Sequence, residues 1–177
     1  MLDLHAPIEP GKSAAGFEIG QLLSDIESEL KDRRDVTYVP GFDLNAALSA
    51  NAGALVIRGM GSGASIHFGQ DVVRLIFSSD GRLGCIYVFD QKSGTHQGMG
   101  YLGSYKGVGT GEPLSKLTDL EPYEYDDGDE MYYRLDAAGD YLPGLAIAAN
   151  NAEVSEHGST LIDGYCVHDW TVFNAKS

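Results

Sequence analysis

An eleven-residue pattern recurs in this chain at a spacing of 91 residues, and it constrains the fold more than any other feature. Gly16-Phe-Glu-Ile-Gly20-Gln-Leu-Leu23-Ser24-Asp-Ile26 aligns with Gly107-Val-Gly-Thr-Gly111-Glu-Pro-Leu114-Ser115-Lys-Leu117. Both glycines, the leucine and the serine are identical, and two further apolar positions match. In each copy a short β-like piece ends in glycine, a helix begins, and strands follow. The pattern reads as a duplication of helix plus antiparallel sheet. Independent use of glycine at helix entry is the competing explanation.

The periodicity around the two copies supports an α+β chain. Leu22, Leu23, Ile26 and Leu30 fall on one face of a helix expected from Gly20 to about Arg33, with Asp25, Glu29, Lys31 and Asp32 toward water. A second, short helix is expected from Leu44 to Ala50 behind an Asp43 cap. The period then changes to that of strands at Ala54–Arg58, Ser65–Phe68, Val72–Ser78 and Arg82–Phe89, with Ser79-Asp80-Gly81 as a hairpin turn. Beyond the glycine-rich stretch, Pro113 suits a helix's first turn and Leu114, Leu117 and Leu120 follow on one side. Met131–Leu135, Gly144–Ala149 and Thr160–Val172 read as strands. The expected fold is a single α+β domain over 1–177. Its pseudo-repeat halves 1–91 and 105–177, each a helix plus antiparallel sheet, pack as one globule and are joined by glycine-rich 92–104.

The chain's 177 residues suffice for one hydrophobic core, burying on the order of 70% of the extended-chain surface without a metal or disulfide staple. Its net charge of −14 is uneven. Residues 1–106 carry nine basic and twelve acidic side chains, whereas 107–177 carry three and fourteen. Such a second half repels nucleic acid and anionic membranes, so neither is expected as a direct partner. Cys85 and Cys166 sit in strand-like runs and read as two buried thiols of a cytoplasmic protein, able to pair only if the fold brings them together. No secretory signal or membrane-length apolar run is seen, although a removed leader would be invisible.

No familiar catalytic or cofactor signature survives its context. Gly98-Met-Gly100-Tyr-Leu-Gly103 matches the dinucleotide fingerprint by letter, but no strand leads into it and no helix leaves it. Gly11-Lys12-Ser13 lacks the upstream glycine of a P-loop, since Ala6 stands there, and Gly59–Gly63 reads as a turn. His67 and Asp71 are separated by a glycine, and His168-Asp169 point to opposite sides of a strand, so no metal site is expected. Asp126–Glu130 lacks the ligand alternation of a calcium loop. Neither cofactor nor catalytic residue is assigned. Ser62, Ser65, His67, His168, Asp169, Cys85 and Cys166 leave a small hydrolase with a dispersed Ser/Cys–His site as the alternative reading.

The strongest chemical feature is electrostatic. Seven carboxylates lie between Asp119 and Glu130, and no lysine or arginine intervenes from Lys116 to Arg134. Glu121, Tyr123, Glu124, Tyr125, Asp126, Asp127, Asp129 and Glu130 are the candidate partner-binding residues, with Tyr132 and Tyr133 shared between core and rim. Dense negative charge speeds encounter with a basic protein, and tyrosine adds contact area at low entropic cost. A solvated acidic loop that only confers solubility is the competing explanation.

The opening Ile8-Glu9-Pro10-Gly11-Lys12-Ser-Ala-Ala-Gly16-Phe17-Glu-Ile19-Gly20, followed by an amphipathic helix, resembles the start of small immunity proteins of bacterial interbacterial-competition systems. Tyr105-Lys106-Gly107-Val108-Gly-Thr-Gly111, with its own helix and an acidic, tyrosine-rich strand region, resembles the second copy found in some of them. A looser likeness is to the duplicated helix-plus-sheet inhibitors of β-lactamase, whose cysteine pairs are missing here. The resemblance implies an α+β protein without activity of its own that occludes a cognate toxin's active site. Combined with the acidic surface, it leads to the expectation of a cytoplasmic immunity protein, not an enzyme. Its partner is a cognate toxin with a basic active-site face, a nuclease by charge.

Overall fold

The computed structural model describes residues 1–41, 51–58, 71–90, 100–149 and 160–174. Each half of the chain opens on a miniature hairpin. β1 (Ser13–Ala14) pairs with β2 (Phe17–Glu18), and β7 (Ser104–Tyr105) with β8 (Val108–Gly109). Their turn residues all have positive φ: 52° and 82° at Ala15-Gly16, 50° and 79° at Lys106-Gly107. That is type I′ geometry, whose twist suits antiparallel strands. Gly16 is also fixed by space, because a Cβ there would lie 2.0 Å from the carbonyl oxygen of Met1.

The shared glycines then redirect the chain into helices α1 (Leu23–Leu30) and α2 (Ser115–Thr118), Gly20 at φ 88° and Gly111 at φ 75°. Both helices are shorter than their apolar spacing suggests. Leu22 does not join the buried face. It is extended, bridges Arg82 and is 40% exposed. Pro113 likewise sits in a bridge to Leu161, ahead of the helix. Leu114 and Leu117 are fully buried, but Leu120 lies beyond the end of α2 and is 58% exposed. Three-residue steps of about 100° per residue also rotate Leu120 well away from Leu114.

After each helix comes a four-stranded antiparallel meander. The first comprises β3 (Val36–Pro40), β4 (Asn51–Arg58), β5 (Asp71–Ser78) and β6 (Leu83–Phe89). The second comprises β9 (Tyr123–Asp126), β10 (Met131–Leu135), β11 (Tyr141–Ala149) and β12 (Ile162–His168). The meanders fuse along β6 and β12, giving one eight-stranded sheet in the order β3-β4-β5-β6-β12-β11-β10-β9. Tyr87 faces Cys166 in this seam. The fold is α+β as expected, but the halves share one sheet.

One face of the sheet carries the main core. Phe17, Ile26 and Leu30 from the first half pack with Tyr105, Val108, Leu114 and Leu117 from the second against Leu75, Phe77, Ile86, Tyr165 and Val167. Fully burying a leucine, isoleucine or phenylalanine stabilises by about 1.5–3 kcal/mol, so this face dominates the energetics. The other face holds Ala54, Ile76, Cys85, Ala146 and Cys166, with Tyr87, Tyr133, Trp170 and Phe173 packed on them. The two thiols are brought together there, Sγ to Sγ 3.1 Å, and both are free.

The last strand stops four residues short of the expected Val172. The Asp169 carboxylate accepts from the backbone N–H and the hydroxyl of Thr171, at 2.9 and 2.6 Å, and turns the chain into α3 (Thr171–Asn174). Phe173 then lies over Gly84, where a Cβ would come within 2.4 Å of its ring. The expected helix Leu44–Ala50, the strand Ser65–Phe68, the Gly59–Gly63 turn and residues 92–99 of linker 92–104 lie outside the described residues, and the linker's last residue, Ser104, already belongs to β7. Among the described residues, no helix is long and apolar enough to cross a membrane.

Candidate functional site

The acidic stretch forms the β9–β10 hairpin at one edge of the sheet. Its register pairs Met131 with Asp126 and Arg134 with Tyr123. Tyr-Glu-Tyr-Asp alternates strictly, so the pleat sends the tyrosines to one face and the acids to the other. Tyr123 and Tyr125 pack against the main core, Tyr125 tilted on Tyr132 at 4.9 Å between centroids. Both are among the expected contact residues, and the structure leaves each partly buried against the core. Tyr132 is buried outright, while Tyr133 points to the opposite face.

Glu121 is also engaged. Lys106 Nζ lies 2.5 Å from its carboxylate, and Tyr123 donates its hydroxyl to the same group. Burial would raise the Glu121 pKa, but Lys106 and the tyrosine hydroxyls hold it below the usual value. The Tyr123 hydroxyl is pushed up by burial and by the neighbouring Glu121 charge.

The other five candidates remain available. Glu124, Asp126, Asp127, Asp129 and Glu130 form no ion pair with a described lysine or arginine. Asp126 orders the turn, accepting from the N–H groups of Gly128 and Asp129 at 2.8 and 3.2 Å. Glu130 closes the turn at a positive φ of 56°. Five carboxylates thus crowd one hairpin with no described lysine or arginine paired to them.

Beside them is a cavity of about 300 Å³, lined by Asp126, Asp129, Tyr133, Tyr141, His168 and Trp170 together with Leu142 and Pro143. His168 stacks on Trp170 at 4.3 Å and 19°, and Tyr133 meets His168 edge-on at 6.4 Å. Tyr133 packs edge-on to Tyr141 at 5.6 Å and donates to Asp129 at 2.7 Å. Arg134 braces the rim by donating to the Pro143 carbonyl at 3.0 Å and to the Tyr105 hydroxyl at 3.1 Å.

His168 is the unusual member. It is 2% exposed, yet neither ring nitrogen has a hydrogen-bond partner among the described residues. Burial lowers its pKa to about 4; Asp169 and Asp129 oppose that shift, and Arg134 reinforces it. The imidazole is therefore neutral at ordinary pH. The adjacent Asp169 does not rescue it, being committed to Thr171. Sequence reasoning treated His168 only as a scattered ingredient. The signal was present in the alternation of β12, which puts Cys166 and His168 on one face two residues before the sole tryptophan.

The dispersed Ser/Cys–His arrangement is not assembled from described residues. Cys85 lies opposite His168 in the register, but its thiol is engaged with Cys166. Burial and that contact push the Cys85 pKa well up, which disfavours the thiolate a nucleophile needs. Ser62, Ser65 and His67 lie outside the described residues. No cluster of three or more potential metal ligands occurs among the described residues. Compared with protein-family models, curated proteins and solved structures, the chain matches none.

Proposed function

We propose that this chain is an immunity protein that binds and neutralises a co-produced toxic enzyme by covering its basic substrate groove. The observation that supports this most is the gathering of Glu124, Asp126, Asp127, Asp129 and Glu130 on one hairpin with no described base to neutralise them. A nuclease is the enzyme class whose groove carries complementary charge, and an acidic hairpin presents carboxylates where phosphates would enter. Opposite fields raise the association rate, while buried anchors set the residence time. Tyr123, Tyr125 and Glu121 serve this face by holding β9 on the core.

Acidic side chains on an edge strand can also guard against edge-to-edge aggregation. The two roles separate in one experiment. Glu124, Asp127 and Glu130 are exposed, so reversing all three to lysine leaves the core and the Asp126 turn bonds intact. The variant is co-expressed with the toxin encoded beside it, and cell survival and complex recovery are measured. Loss of protection by a monomeric variant supports docking. Full protection, with or without new self-association, refutes it.

A further inference from the structure

We propose that the cavity between β10, β11 and the end of β12 is a socket for a guanidinium group, filled by an arginine side chain of the protein that the acidic hairpin captures. The pocket's need for a ligand comes from His168. Leaving two buried ring nitrogens unpaired costs free energy, and native proteins seldom tolerate it without a ligand or an ordered water. A neutral imidazole keeps one bare nitrogen as acceptor, covered by neighbouring atoms in this structure; a guanidinium N–H satisfies it once the ring turns toward the cavity it lines. The remaining ring N–H is left for a carbonyl or a water brought in with the arginine.

The walls select for a cation. Trp170, Tyr133 and Tyr141 line it with aromatic rings, and Asp126 and Asp129 are the two acidic residues among its lining. Aromatic rings and carboxylates both attract positive charge. Between the two common cations, a planar guanidinium stacks on rings and forks to carboxylates, whereas a lysine ammonium is compact and strongly hydrated. A cavity near 300 Å³ is at the small end of ligand pockets, suiting one long side chain better than a cofactor.

The choice of a partner protein as source rests on the immunity reading; the pocket chemistry does not. The experiment therefore has separate arms. The first adds N-acetyl-L-arginine amide to the intact protein and follows the fluorescence of Trp170, the only tryptophan, together with the His168 ring nitrogens by NMR. Binding on the order of 1 mM is expected, as suits a fragment of an interface. N-acetyl-L-lysine amide should bind at least about fivefold more weakly. Tyr141 is half exposed, so Tyr141→Ala leaves the fold intact and should weaken arginine binding severalfold. Asp129→Asn and His168→Leu should weaken it as well.

Unmoved His168 signals at 50-fold the expected constant would mean a water-filled cavity, and would overturn the socket. Equal binding of the lysine or a neutral glutamine derivative would overturn the guanidinium assignment. Micromolar preference for free L-arginine over the capped form would point to a metabolite and overturn the partner as source. The second arm measures Tyr141→Ala against the toxin: weaker binding with an unchanged association rate supports the socket, and an unchanged complex overturns it. Capped-arginine binding that survives while no toxin complex forms would refute the immunity reading and spare the pocket.

Discussion

At the scale of single residues, His168 sets a pH signature. Its folded pKa is near 4, below the ordinary 6.5, so the unfolded chain binds its proton first. Stability from this group is whole above about pH 6.5 and declines as pH falls toward 4, where the folded imidazole also protonates. Across that window the loss should be about 3 kcal/mol. Facing it are Asp126, Asp129, Tyr133 and Tyr141, with Arg134 and Asp169 nearby. Urea unfolding at pH 7 and pH 5 should capture about 2 kcal/mol of that loss, and His168→Leu should flatten the profile between them. A profile identical in both proteins would show that the imidazole is protonated in the folded state. None of this was legible from the residue alone, because a histidine's burial depends on which strand ends where.

At the scale of elements, the β9–β10 hairpin divides support from surface. Tyr125→Ala should cost about 2 kcal/mol of stability by removing its contact with Tyr132 and the core. Glu124→Gln, on the opposite face, should stay within about 0.5 kcal/mol. Thermal unfolding of both variants checks the division; equal losses would show the two faces misassigned. The acidic and tyrosine content of this hairpin was plain in the sequence, and its period of two was there to be read. Treating the stretch as a charge run rather than a strand hid which tyrosines would turn inward. The aliphatic-rich strands β5 and β6, and the tyrosine-bearing β10, were legible nearly to the residue. β3 was not, because Val-Thr-Tyr-Val-Pro at an edge carries little apolar signal.

At the scale of the whole molecule, hairpin, helix and meander follow one another in both halves, and the 91-residue spacing of Gly20 and Gly111 announced that order. The spacing carried no sign that β6 and β12 would join, since seam pairing is long-range and depends on Gly164 and other small residues letting the backbones meet. Because Ile86 and Val167 face each other in that seam, Ile86→Ala should cost about 2–5 kcal/mol. Trp170 fluorescence and far-ultraviolet circular dichroism should still report one shared transition. Two separated transitions would mean that the halves fold independently. The sheet carries at one edge five carboxylates that no described lysine or arginine pairs with. The association rate with the toxin proposed as partner, measured from 20 to 300 mM salt, tests that surface most directly. The native chain should associate at least about tenfold faster at low salt than the Glu124→Lys, Asp127→Lys, Glu130→Lys variant, with the gap closing as salt rises. Superimposable rates across the whole salt range would contradict the account.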